Sequence, residues 1–182
     1  MVRALDNVLE LTLWPLPEQE EEARNKRRVG AGFLGLGSAL AMLGYRYDSQ
    51  EGRQMAETIA KRLATTAYEA SIELAKERGS FPLLDPEKHV QSPIVQRLPS
   101  HIRKGILETG LRNSHLLSIA PTGTIALAFA DNASNGIEPP FSWIYKRRVV
   151  QPDGPPKIVE VEDHAFRRWR AMGCPGSSKE DV

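Results

Sequence analysis

The chain has 182 residues and one cysteine, Cys174, set among Gly173, Pro175, Gly176, Ser177 and Ser178. A single thiol cannot close an internal disulfide, form a Cys-x-x-Cys redox pair or build a cysteine-based zinc site, and it fits a reducing compartment. Nothing beside it in sequence would activate it, so it reads as an incidental thiol. An excess of charge of one sign is missing too: 24 Lys and Arg stand against 23 Asp and Glu, a formal net charge of +1. Without an overall basic field, bulk binding to nucleic acid or to an anionic membrane surface is not expected. The longest apolar run, around Ile119 to Ala130, is broken by Pro121, Thr122, Gly123 and Thr124, so no segment reads as membrane-spanning. Arg3, Asp6 and Glu10 interrupt the first residues, which lack the apolar core of a secretory signal. His89, His101, His115 and His164 are scattered without ligand spacing, and no metal is assigned. These absences point to a soluble, cytoplasmic chain, whose 41% apolar content suffices for one sizeable core.

What is present reads as mostly helix in the first half. Val2, Leu5, Val8, Leu9 and Leu11 recur at helical spacing before Trp14-Pro15-Leu16-Pro17 closes the segment. The charged stretch from Glu18 to Arg28 reads as a solvated helix face, with Glu20 to Glu22 placed to pair with Arg24 to Arg27. Gly30, Gly32 and Gly35 satisfy the spacing of a dinucleotide-binding glycine loop, but no buried strand precedes them and no acid follows in place. Close backbone packing at a strand-to-helix turn accounts for them better. A long helix is predicted from Ser49, as cap, to Arg78, ended by Gly79, with Met55, Ile59, Leu63, Ala67, Ala70 and Leu74 as its core stripe. From Ser80 to Pro99 four prolines predict an irregular surface connection, anchored by Phe81, Leu83, Ile94 and Val95.

A helix is predicted through Ile102 to Glu108 and stopped by Gly110, then a buried strand over Leu111 to Ala120. Phe141 to Val150 reads as a strand, Pro152-Asp153-Gly154 as a turn, Lys157 to Val161 as a returning strand and Val161 to Met172 as a helix. Residues 173–182 read as a polar tail.

Two motifs carry candidate chemistry. Ser118-Ile119-Ala120 runs into Pro121-Thr122-Gly123-Thr124-Ile125, an apolar stretch entering a turn and then a short helix. Unpaired N–H groups at a helix start can bind phosphate, Gly123 admits an anion close to the main chain, and the Thr122 and Thr124 hydroxyls are further donors. Local chemistry equally permits an ordinary turn with a threonine cap. The second motif is Asp131-Asn132-Ala133-Ser134-Asn135-Gly136-Ile137-Glu138-Pro139, in which Asn135-Gly136 is a strong turn dipeptide. Glu138 is either a structural carboxylate capping nearby N–H groups or a site carboxylate that orients substrate.

Together with Arg112-Asn113-Ser114-His115, these motifs resemble the C-terminal half of the catalytic barrel of ribonucleotide reductases, of the bacterial adenosylcobalamin-dependent class. Leu5-Asp6-Asn7-Val8, Trp14-Pro15-Leu16-Pro17, Lys26-Arg27-Arg28-Val29-Gly30 and Glu73 to Gly79 follow in the order that family shows them. The similarity runs from about residue 3 to about residue 170.

The resemblance implies an α/β fold, roughly the C-terminal half of a ten-stranded α/β barrel with a helix-rich first half, over residues 1–172. It implies an oxidoreductase that reduces ribonucleotides to deoxyribonucleotides for DNA synthesis, with adenosylcobalamin as cofactor in the complete enzyme. Pro121, Thr122, Gly123, Thr124 and Ile125 carry over as the substrate-phosphate loop, with Asn135, Gly136 and Glu138 in support. The family's radical cysteine and reducing pair have no counterpart here, since the lone Cys174 lies in the tail, so the chain alone is expected to be inactive. A ribonucleotide, the missing N-terminal half of the barrel or a partner chain, and a second copy are the expected partners. Ala126 stands where the family usually has Ser, and Ser38 where it usually has Asp. The alternative is a non-catalytic nucleotide-binding or scaffold module derived from that barrel.

Overall fold

The structure, a computed structural model, describes residues 1–126 and 134–173. Cys174 with the rest of the predicted tail, and Asp131, Asn132 and Ala133 of the second motif, lie outside the described residues. The chain divides into two compact units, one of Met1–Gly32 with Ile59–Ser118 and one of Phe33–Thr58 with Ile119–Val182.

The first unit is helical. α1 (Val2–Leu11) and α2 (Pro17–Lys26) form where the periodicity and the proline punctuation place them. Arg24 pairs with Glu20 at 2.8 Å and Lys26 with Glu22, both at i,i+4. α4 (Gln50–Arg78) contributes its residues from Ile59 onward, and Gly79, with φ 80°, ends it. Its buried face differs from the predicted stripe. Ala67 and Leu74 are buried as expected, but Tyr68, Ser71, Ile72 and Ala75 share that face, whereas Ile59, Leu63 and Ala70 are only half-buried.

The proline-rich segment is more ordered than predicted. Pro86 and Pro93 sit at helix starts, where a missing N–H costs nothing, and open α5 (Pro86–Val90) and α6 (Pro93–Gln96). Phe81 and Val95 do anchor it, but Leu83 and Ile94 are exposed. α7 (Ser100–Thr109) follows, ended by Gly110 at φ 93°. Ile102 and Ile106 from α7 join Ile72, Val95, Leu98, Leu111 and Leu116 in one core.

The strand predicted over Leu111 to Ala120 does not form as a regular strand. The N–H groups of Arg112 and Asn113 are taken by the Ser71 carbonyl and hydroxyl within α4, and that of Ser114 by the Lys26 carbonyl at the end of α2, so helix groups replace a ladder there. Only beyond them does the segment pair in parallel with Val29–Ala31, through Val29 to His115 at 3.0 Å and Ala31 to Leu116 at 2.8 Å. A Cβ on Gly30 would come within 2.9 Å of the Ser118 Cβ, which is the close packing predicted for that glycine.

A buried carboxylate ties this unit together. Asp6 is fully buried and accepts from Arg27 Nε at 2.9 Å and Asn113 Nδ2 at 3.0 Å, with Arg112 Nε at 3.3 Å and Arg78 Nη1 at 3.4 Å on its other oxygen. Burial pushes the Asp6 carboxyl up, but the Arg27 and Asn113 hydrogen bonds and the Arg27 and Arg112 charges outweigh it and hold it below its ordinary value. Arg27 itself adopts a left-handed backbone, φ 46°, while its carbonyl accepts from Asn113 at 3.1 Å.

The second unit holds α3 (Leu36–Met42), the first turns of α4 capped by the Ser49 hydroxyl, α8 (Gly123–Ile125), an antiparallel pair β1 (Ile144–Val149) and β2 (Lys157–Glu162), and α9 (His164–Ala171). Ile144 faces Glu162 and Val149 faces Lys157, the predicted hairpin. Regular strand among the described residues is confined to this pair, so helix and strand both occur as expected, but most strands of a half-barrel are not seen there. α9 starts later than predicted because Asp163 caps it, accepting from Ala165 N at 2.8 Å. The Ser38 hydroxyl donates to the other Asp163 oxygen at 2.6 Å, joining α3 to α9. No helix among the described residues is long and apolar enough to cross a membrane.

Two outcomes follow. Removing the Asp6 carboxylate (Asp6→Ala) strands buried guanidinium groups, so urea denaturation should show a loss of about 3–5 kcal/mol. Because the folded-state pKa of Asp6 lies below the unfolded one, its contribution is present above the ordinary value of 3.8 and is lost as pH falls through the folded value. Ser38→Asp would set a second carboxylate against buried Asp163, so its melting temperature should fall below that of Ser38→Ala, which loses only a hydrogen bond.

Candidate functional site

The two sequence motifs meet in the second unit. After Pro121 the backbone turns through Thr122 in the left-handed region, φ 48° and ψ 13°, and enters α8, where Ala126 N donates to the Thr122 carbonyl at 2.8 Å. A left-handed conformation at a β-branched residue costs roughly 1–2 kcal/mol and must be held by its surroundings. The holding bond comes from the second motif: Thr122 Oγ1 donates to the Asn135 carbonyl at 2.7 Å. The Thr122 side chain therefore makes no cap bond to α8, contrary to the ordinary-turn reading, and its hydroxyl proton is committed. The N–H groups of Gly123, Thr124 and Ile125 have no acceptor within so short a helix. Thr122 and Gly123 are half-buried, while Pro121, Thr124 and Ile125 are exposed.

Glu138 fixes the other side. Its Oε1 accepts from Asn135 N at 3.0 Å and its Oε2 from Gly136 N at 2.9 Å, while its carbonyl accepts from the buried Ser134 hydroxyl at 2.6 Å. Desolvation pushes its carboxyl up, but backbone hydrogen bonds, including those from Gly136 and Asn135, outweigh this and leave it below its ordinary value. Both carboxylate oxygens are thus turned onto the main chain, the capping role that the sequence allowed. Gly136 is pinched between the motifs: a Cβ there would lie 3.2 Å from the Ala120 carbonyl and 3.2 Å from Glu138 Oε2.

The glycine-rich segment before α3 receives this loop. Leu36 N donates to the Gly136 carbonyl at 3.0 Å, Gly35 N to the Asn135 carbonyl at 3.3 Å and Gly37 N to the Ser134 hydroxyl at 3.0 Å. A Cβ on Gly37 would come within 2.8 Å of the Glu138 carbonyl oxygen and of Pro140 Cδ, so only glycine permits this seat. Tyr47 donates to the Ile137 carbonyl at 2.6 Å. Sequence reasoning missed Ser134, Gly37 and Tyr47. Gly37 alone left a signal, a glycine just inside a helix start.

Around Gly123 there is open space among the described residues, since a Cβ would meet only Asn135 Nδ2, at 4.0 Å. The Asn135 side-chain oxygen is buried and has no hydrogen-bond partner among the described residues. The arrangement is a half-exposed turn whose first N–H groups have no acceptor within the helix, and groups of that kind can take a small anion.

Comparison with known proteins agrees with these motifs. The family model described as the ribonucleotide reductase barrel domain matches residues 1–180. The chain is similar to a vitamin B12-dependent ribonucleoside-diphosphate reductase of Mycobacterium tuberculosis (strain CDC 1551 / Oshkosh), 37% identical over 149 residues, covering 82% of this chain and 19% of the relative. It is similar to the ribonucleoside-diphosphate reductase large subunit of Variola virus, 32% identical over 161 residues, covering 82% of this chain and 20% of that one. A third relative, the subunit alpha of Treponema pallidum (strain Nichols), is 28% identical over 180 residues, covering 94% of this chain and 21% of that one. The chain thus spans about a fifth of the length of the relatives it matches.

Proposed function

The chain belongs to the ribonucleotide reductase barrel-domain family, and from that premise we propose that it supplies the substrate-phosphate anchor of a cytoplasmic, B12-dependent ribonucleoside-diphosphate reductase. Residues 1–172 are read as one piece of a ten-stranded α/β barrel, whose remaining strands and reactive cysteines come from the missing N-terminal half or a partner chain. On this reading the chain alone does not turn over.

The observation that carries the proposal is the left-handed Thr122 beside an unobstructed Gly123. Radical chemistry on a ribose needs the sugar held still, and fixed backbone donors can anchor the phosphates without rearranging on binding. Pro121, Thr122 and Gly123 set the direction of the turn, the N–H groups of Gly123, Thr124 and Ile125 hold the phosphate, and the exposed Thr124 hydroxyl adds a donor. Asn135, Gly136 and Glu138 support the turn from below. The diphosphate is preferred as substrate because the relatives are named for it.

Adenosylcobalamin is proposed for the complete enzyme on the Mycobacterium relative's name. The described residues around Thr122, Asn135 and Glu138 offer small hydrogen-bonding groups rather than a broad apolar cradle. They do not fit a corrinoid.

Titrating a ribonucleoside diphosphate against the chain and against Gly123→Val tests the anchor. The added Cβ meets nothing closer than 4.0 Å, so the variant should fold and yet lose binding at least tenfold. Equal affinity in the two proteins would eliminate the loop as the site. Apolar side chains such as Leu11, Leu13, Phe141 and Val150 are exposed, and a second copy is a proposed partner for the isolated chain. Sedimentation velocity should then show association that grows with concentration, and a monodisperse monomer would contradict it.

A further inference from the structure

We infer that Glu138 is a positioning residue, holding Thr122 in its left-handed conformation through the Asn135 carbonyl and so aiming the N–H groups that follow. The inference rests on the reading of Pro121–Ile125 as a phosphate anchor, and it gives Glu138 a different task from orienting the substrate itself.

The relay is continuous. The Glu138 carboxylate grips Asn135 N at 3.0 Å and Gly136 N at 2.9 Å, which fixes the peptide planes on both sides of Asn135. The Asn135 carbonyl is then presented to Thr122 Oγ1 at 2.7 Å. That bond is the polar side-chain contact opposing the tendency of a β-branched residue to leave the left-handed region. If Thr122 relaxed to a right-handed or extended backbone, the peptide planes entering Gly123 and Thr124 would rotate and their N–H groups would diverge.

Three further features favour a fixed relay over an incidental turn. Gly136 is packed tightly, since a Cβ there would lie 3.2 Å from both the Ala120 carbonyl and Glu138 Oε2. Ser134 locks the Glu138 main chain by its 2.6 Å bond while accepting from Gly37 N, so the carboxylate acts from a seated backbone. Among the described residues the hydrogen bonds to the Glu138 carboxylate come from the Asn135 and Gly136 N–H groups, so its charge is directed at backbone donors. Among the described residues, α3 through Leu36 and Gly37 and the turn before α4 through Tyr47 make neutral hydrogen bonds to this loop.

The test is solution NMR on the isotope-labelled chain, with inorganic pyrophosphate as probe. Without ligand, the three-bond HN–Hα coupling and carbon shifts of Thr122 report its backbone region. Glu138→Ala is expected to move Thr122 out of the left-handed region and to weaken pyrophosphate about tenfold, while Glu138→Gln, which keeps one acceptor oxygen, falls between. Thr122 remaining left-handed in either variant with unchanged affinity would overturn the inference. Should Glu138→Ala fail to give a folded spectrum, the comparison is decided on Glu138→Gln. If the unaltered chain shows no shift at Gly123 to Ile125 on adding pyrophosphate, the phosphate reading fails, whereas the Thr122 conformation in the variants still decides the role of Glu138.

Discussion

A residue with a branched side chain does not rest in left-handed backbone of its own accord, and the candidate site is built on one that does. Thr122 is held there by the Asn135 carbonyl, which is held by Glu138, which is held by Ser134 and by a glycine that cannot be replaced without collision. Each bond is an ordinary one, contributing about 1 kcal/mol net, or about 2 kcal/mol where the Glu138 carboxylate is the acceptor. Their effect lies in being sequential: each fixes the orientation of the next group. The result is a turn whose backbone is fixed by bonds within the chain; donors fixed in that way can anchor an anion without reorganisation.

The same device recurs in the first unit. Arg27 is the other non-glycine residue with positive φ among the described residues, and it too is held from both ends, by Asp6 on its guanidinium and by Asn113 on its carbonyl. There the outcome is structural. Asp6 gathers guanidinium groups from α2, the end of α4 and the segment after α7, so burial of a charge is offset by hydrogen bonds from several elements. Membership of the barrel-domain family places both arrangements in one chain about a fifth as long as its relatives.

Much of this was legible in the sequence. Helical periodicity placed α1 and α7, Ser49 and Gly79 bounded α4, and the Pro152-Asp153-Gly154 turn placed the hairpin. The motifs around Gly123 and Glu138 stand out in the sequence, whereas their contact through Thr122 and Asn135 does not. What the sequence hid was where backbone groups go. An apolar run at Leu111 to Ala120 reads as a strand, yet Ser71 and Lys26 take its first N–H groups, and such long-range partners leave no local pattern. In the same way, a threonine before a glycine reads as a cap, and only the fold reveals that its hydroxyl turns away to Asn135. Prolines read as breakers also began two helices, since the same missing N–H suits a helix start.

If residues 121–125 anchor substrate phosphate, this chain should work as part of a complete reductase barrel. The direct measurement exchanges the matching segment of a complete vitamin B12-dependent relative for residues 1–173 of this chain and assays ribonucleoside-diphosphate reduction with adenosylcobalamin. Turnover is expected in the chimera, with its loss when Gly123→Val is introduced. A folded chimera that is inactive, or one whose turnover is indifferent to Gly123→Val, would contradict it.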